Sequence, residues 1–152
     1  MTTIAYRDGY MAADTQAYLG RGEPGHARKL KVHRLVDGSL LGVSSSIVGA
    51  ALRLVDWVNG GCDQESMPVI KDGEREHEFE MLRVFEDGVV HYFNDTYHWT
   101  VIEARYFAIG SGSKYALGAM SAGCSASGAV AIACEFDQYS GGNVEQWKLS
   151  DG

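Results

Sequence analysis

The chain is expected to fold as α+β, with helices stacked on antiparallel sheets. Two patterns predict this. Strand-like stretches come in runs joined by tight turns such as Asp8-Gly9, Asp37-Gly38 and Asp87-Gly88, and helical periodicity is confined to one segment near residues 47–58 and two adjacent segments near 114–135. A third observation is bulk. The 152 residues, 45% hydrophobic and 22% charged, suffice for one ordinary globular core. Residues 1–152 therefore read as a single domain, with no internal repeat, low-complexity tract or linker.

Thr3 to Tyr6 reads as a strand and Tyr10 to Ala13 as its hairpin partner, with Arg7-Asp8-Gly9 as the turn. Residues 15–30 carry Gly20, Gly22, Pro24 and Gly25 and read as a loop. Val32 to Val36 and Ser39 to Val43 form the next two strands. Ser44-Ser45-Ser46 can cap a helix whose apolar residues, Ile47, Val48, Ala51, Leu52, Leu54, Val55 and Val58, recur at helical spacing. Asn59-Gly60-Gly61 ends it, and residues 62–77 look polar and irregular. Three strands then alternate strongly, rich in aromatic and β-branched residues: Glu78 to Phe85, Val89 to Phe93, and His98 to Glu103, with a turn at Asn94-Asp95. Tyr106 to Ile109 is a short buried strand ending in Gly110-Ser111-Gly112-Ser113. Helices follow over about 114–122 and 126–135, Gly141-Gly142 breaks the chain, and Val144 to Leu149 is the last strand.

Composition removes several functional classes. A net charge of −7 argues against nucleic acid as a partner, and the run Arg28-Lys29-Leu30-Lys31 is too short to reverse it. No stretch approaches a membrane span and no signal peptide is visible, so a soluble cytoplasmic protein is expected. Three cysteines, Cys62, Cys124 and Cys134, fit no zinc spacing and suit a reducing compartment. The five histidines are scattered; His91 and His98 could face each other across a hairpin, but no metal site is expected. Gly110-Ser111-Gly112-Ser113 follows a strand and opens a helix, as a nucleotide loop would. Position 115 is tyrosine where the dinucleotide fingerprint wants glycine, and the Walker Gly-Lys-Ser/Thr is missing, so no cofactor is expected.

Chemistry enters at Met1-Thr2-Thr3-Ile4-Ala5. Thr2 becomes the first residue once an aminopeptidase removes Met1, because such enzymes accept a small second residue. A terminal threonine carries both a hydroxyl nucleophile and an amine that can serve as its base. Four further segments stand in order behind it: Met11-Ala12-Ala13-Asp14-Thr15-Gln16, Lys31-Val32-His33-Arg34-Leu35, Ala108 to Ala116 around Gly110-Ser111-Gly112, and Asp137-Gln138-Tyr139-Ser140-Gly141-Gly142. Each alone has an ordinary reading: a turn acid, a surface lysine, a glycine-rich loop. As an ordered set from Thr2 to about Leu149, they make the chain resemble the proteasome β-subunit and HslV-type family of N-terminal nucleophile (Ntn) hydrolases.

The resemblance implies a four-layer αββα sandwich of two antiparallel sheets between helices, here with shortened helices. It matches Thr2 to the nucleophile, Asp14 to the acid closing the second strand, and Lys31 to the buried lysine beside the hydroxyl. Ser111, Asp137 and Ser140 match the groups that orient the amine. Ser45 falls where the family has a glycine whose backbone N–H forms the oxyanion hole; a backbone needing positive φ would be strained there. Lys29, His33, Val43 and Ile47 fall at the substrate pocket, an apolar site with basic rims suited to hydrophobic or acidic side chains. A threonine-type endopeptidase acting on peptides or polypeptides is implied. So is a homo-oligomer of stacked rings, with room for an ATP-dependent unfoldase partner. Two alternatives stay open: a small-amide hydrolase using the same nucleophile, and a non-catalytic ring-forming or assembly protein that keeps Met1.

Overall fold

A computed structural model describes residues 2–18, 24–47, 49–72, 75–76, 79–94 and 98–149. Met1, Gly20, Gly22, Val48, Glu78 and the Asp95 half of the expected turn lie outside the described residues.

The first hairpin is β1 (Ile4–Arg7) and β2 (Tyr10–Ala13), paired Ile4 to Ala13 and Arg7 to Tyr10. Asp8 at φ 50° and Gly9 at φ 86° make the two-residue turn, the mirror-image geometry that matches strand twist. The expected loop over 15–30 instead contains a small irregular hairpin, β3 (Gln16–Tyr18) and β4 (Pro24–Arg28). Its glycines and proline signal a break, but tertiary hydrogen bonds hold its base: Lys29 N–H donates to the Thr15 carbonyl, and the Gly141 carbonyl accepts from Thr15 and Gln16. Next come β5 (Val32–Arg34), β6 (Leu40–Ser45) and α1 (Ala50–Asn59). The serines do not cap α1. Its N-cap is Gly49 in the left-handed conformation with no side-chain bond, while Ser45 Oγ accepts the Ile47 N–H within the preceding turn.

Residues 62–77 are not wholly irregular. A short 3-10 turn at Gln64–Ser66 is capped by Asp63, and β7 (Lys71–Asp72) pairs with β8 (Arg75–Glu76). The chain continues through β9 (Phe79–Val84), β10 (Val90–Phe93), β11 (Trp99–Ile102), β12 (Tyr106–Ile109), α2 (Ser113–Ser121), α3 (Ala126–Phe136) and β13 (Glu145–Lys148). Ser125 caps α3 by accepting the Gly128 N–H. In the β10–β11 register His91 opposes Val101 and Phe93 opposes Trp99, so His98 lies beyond the paired strand and does not face His91. Among the described residues no helix is long and apolar enough to cross a membrane.

Strand alternation sorts the core into three slabs. Sheet order is β12-β1-β2-β13 in one sheet and β11-β10-β9-β6-β5 in the other. Ile4, Tyr6, Met11 and Ala13 face inward onto Val32, Leu40, Leu82, Val84 and Val90 of the second sheet. The opposite face of the first sheet offers Ala5, Ala12 and Ala108 to Ala116, Ala119, Ala129, Val130 and Ala133 of α2 and α3, and small side chains let these helices sit close. On the far side, Leu41, Val43, Met81 and Phe93 pack under Leu54, Trp57 and Val58 of α1. The result is the expected α+β, αββα layering.

Gly42 marks a close approach of the two sheets: a Cβ there would lie 2.8 Å from Ile4 Cγ2 and 3.2 Å from Met11 Sδ, both on buried side chains. Gly42→Ala should therefore destabilise the protein by about 1–3 kcal/mol, as overpacking does elsewhere. Urea denaturation is the measurement, with a lower midpoint and an unchanged slope expected.

Candidate functional site

The hairpin register builds the site. Ile4 opposes Ala13 on one side and Ile109 on the other. One step back along β1, Thr3 meets Asp14: the Asp14 N–H donates to the Thr3 carbonyl at 3.1 Å, and the Thr3 N–H returns to Asp14 Oδ1 at 2.9 Å. On the other side, the loop Gly110-Ser111-Gly112 that follows β12 closes on Thr2. The Thr2 N–H donates to Ser111 Oγ at 3.1 Å, and the Gly112 N–H donates to the Thr2 carbonyl at 3.3 Å. Gly110 is required by this approach. Its φ is +95°, and a Cβ would collide with the Thr2 carbonyl. Thr2 and Thr3 are almost fully buried, at 1% and 0% exposure.

Asp14 is the hub. It is fully buried, and its Oδ1 accepts both the Thr3 N–H and Lys31 Nζ, each at 2.9 Å, while Oδ2 accepts the Gly141 N–H at 3.0 Å. Lys31 stands just before β5, its carbonyl continuing the ladder by accepting the Val43 N–H, and its side chain is buried in the ion pair. Burial pushes the Lys31 ammonium below its ordinary range, and the Asp14 charge and hydrogen bond oppose that shift.

A second network starts at Asp137, the C-cap of α3. Ser111 Oγ donates to Asp137 Oδ2 at 2.7 Å and Ser140 Oγ donates to the same oxygen at 2.6 Å. With both serine protons directed to the carboxylate, Thr3 Oγ1 is the donor in its 2.7 Å contact with Ser140 Oγ. The Thr2 nitrogen therefore connects through Ser111 to Asp137. Burial raises the Asp137 carboxyl, but hydrogen bonds from Ser140, Ser111 and the Tyr139 backbone, with the amino-terminal charge, together hold it below its ordinary value. Cys134 faces the same charges: burial, then Asp14, push its thiol up to about 11, with Lys31 opposing. It is a thiol at neutral pH and a poor nucleophile.

The structure thus brings Thr2, Asp14, Lys31, Ser111, Asp137 and Ser140 into two linked networks. Ser45 ends β6 opposite Phe79, and its carbonyl accepts Lys29 Nζ at 2.9 Å. Its backbone is free of the expected strain: among the described non-glycine residues, only Asp8 and Cys62 have positive φ. Lys29 and His33 line a cavity of about 440 Å³ together with Ala17, Leu30, Ala51 and Leu52. Val43 and Ile47 do not line it. Val43 is buried under α1 because odd-numbered β6 residues face the helix, and Ile47, in the turn after β6, packs against the same cluster. Burial lowers Lys29, with the Lys31 charge adding to the effect, and burial also lowers His33. Sequence reasoning does not single out Thr3, Gly110 or the Gly141 N–H as site groups. The paired Thr2-Thr3 and the register of the hairpin are the signals that could have found Thr3.

Two outcomes test this electrostatic picture. Lys31→Met should destabilise by about 3–5 kcal/mol, because Asp14 keeps its burial and loses its cation; chemical denaturation measures it. Asp137 has a depressed folded-state value, so its stabilising contribution is present above its unfolded value of 3.8 and is lost as pH falls through the folded one. Asp137→Asn should therefore flatten the acid side of the stability-against-pH curve while lowering stability at neutral pH, read from thermal midpoints across pH.

No protein-family profile matches the chain, and no curated protein matches it. Solved structures do. The chain is similar to Thiobacillus denitrificans BPH at 23% identity and TM-score 0.63, covering 99% of each chain. It is similar to the same protein in complex with epoxomicin at 25% identity and TM-score 0.69, covering 98% of each. It is also similar to eukaryotic HslV from Trypanosoma brucei at 19% identity and TM-score 0.67, covering 97% of this chain and 99% of that one. Over nearly its full length the chain therefore shares the fold of these structures, eukaryotic HslV among them.

Proposed function

We propose that the chain is a threonine-type peptidase whose nucleophile is Thr2 after removal of Met1. The observation that carries this reading is the buried Lys31 ammonium, tied by Asp14 Oδ1 to the Thr2-Thr3 backbone. A buried ion pair is costly without a role, and here it brings positive charge to the carboxylate that holds the Thr3 N–H, next to the nucleophile. In this reading Thr2 Oγ attacks the peptide carbonyl and its proton passes to the freed α-amine, directly or through water. The amine returns the proton to the departing amine of the substrate, leaving an ester that water then hydrolyses. Lys31 favours the alkoxide and lowers the amine's proton affinity. Ser111, braced by Asp137, orients the amine, and the Ser45 N–H is assigned to the developing oxyanion.

The cavity beside Lys29 and His33 is assigned to a substrate side chain, with its apolar walls favouring hydrophobic residues. Epoxomicin is bound by the Thiobacillus protein, and the same compound is expected to occupy this site. A homo-oligomeric ring and a cytoplasmic location belong to the same proposal; light scattering tests the first.

Hydrolysis of fluorogenic peptides by the wild type and by Thr2→Ala is the direct test. The expected result is intact mass lacking Met1, epoxomicin-sensitive cleavage, and a loss of about 10³-fold or more in Thr2→Ala. Persistent cleavage by Thr2→Ala overturns the assignment. A retained Met1 with no cleavage favours the assembly protein instead.

A further inference from the structure

Glu80 lies on the wrong face of its strand for a solvent-facing acid. In β9, Leu82 and Val84 point into the slab between the sheets, and Glu80 shares their parity. Its neighbours on that slab are apolar. Tyr92 packs against the same cluster, and its ring meets Phe107 edge-on with centroids 5.7 Å apart. A carboxylate placed there needs donors, and two are present: the Tyr92 hydroxyl donates to Oε2, and the Gly110 N–H donates to Oε1 at 3.3 Å.

The second donor matters. Gly110 belongs to the first sheet's loop that closes on Thr2, the Gly110 carbonyl accepts the Ser113 N–H at 3.1 Å, and Ser111 takes the Thr2 N–H. Glu80 is thus a strut from the second sheet to the loop that holds the amine's partner. We propose that Glu80 is a positioning residue for the Thr2 amine, acting through the Gly110 peptide and Ser111. This rests on the peptidase reading above. Glu80 touches neither nucleophile nor substrate. It sets the angle at which Ser111 Oγ meets the nitrogen, and small misplacements of such groups can lower rates about 100-fold.

The experiment compares peptide hydrolysis by wild type, Glu80→Leu, Glu80→Gln, Tyr92→Phe and Thr2→Ala, each across pH. Glu80→Leu should lower kcat about 10- to 100-fold with KM within about twofold. It should also move the acid limb of the kcat profile to lower pH, because an amine that loses its hydrogen-bond acceptor holds its proton less tightly. Glu80→Gln keeps an acceptor for Gly110 and should restore most of kcat and the limb's position. Tyr92→Phe removes only the other partner and should fall between them. A simple loss of packing would lower stability without moving the limb. An unmoved limb and wild-type kcat in Glu80→Leu overturn the proposal, as does a Glu80→Gln variant no better than Glu80→Leu. Should Glu80→Leu not fold, the Tyr92→Phe and Glu80→Gln profiles decide: a Glu80→Gln limb displaced as far as that of Tyr92→Phe or farther overturns it. Cleavage that persists in Thr2→Ala instead removes the peptidase reading itself, so the two failures are distinguishable.

Discussion

A fully buried aspartate organises this molecule. Asp14 loses its water on folding, and its two oxygens recover three donors: a backbone N–H from its own hairpin, the Lys31 ammonium arriving from the second sheet, and a backbone N–H from the loop after α3. Each donor comes from a different layer or loop, so the carboxylate can be satisfied only when those parts are assembled together. That requirement explains why Lys31 can be buried at all. Removing either partner leaves the other charged in a place that water cannot reach. The same requirement brings the ammonium to the carboxylate oxygen that accepts the Thr3 N–H, one residue before β1.

The two networks differ in what they contribute. The Asp14 network carries net charge balance and anchors backbone. The Asp137 network consists of hydroxyls feeding one carboxylate, with the Ser111 hydroxyl also 3.3 Å from the Thr2 carbonyl. Such a set gives the Thr2 nitrogen an acceptor in Ser111. Cys134, close by, is kept protonated at neutral pH by its burial and the neighbouring carboxylates.

Much of the fold is legible in the sequence because local signals and tertiary structure agree in it. Asp8-Gly9 sets the first turn, and that turn's register puts Thr3 opposite Asp14. The serine before α3 caps it, whereas the serines before α1 do not, because a glycine in the left-handed conformation already turns the chain there. The hairpin within residues 15–30 is hidden by breaker residues, and its base is held by Thr15 and Gln16 bonding to distant Gly141. Val43 reads as a pocket residue; strand parity sends its side chain beneath α1, so it does not line the cavity beside Lys29 and His33. Glu80 is invisible for a related reason: one acid in an alternating strand reads as exposed, and only the position of the first sheet reveals that it faces inward.

The order of assembly follows from where these partners lie in the chain. Thr2 and Thr3 leave the ribosome long before Ser111 and Ser140, the hydroxyls to which they bond, which are separated from them by 109 residues or more. A nascent polypeptide that has not yet reached Ser140 lacks part of the constellation, whatever its early hairpin has done. Translation itself thus leaves Thr2 and Thr3 without these partners until the final helix and the loop behind it have been made.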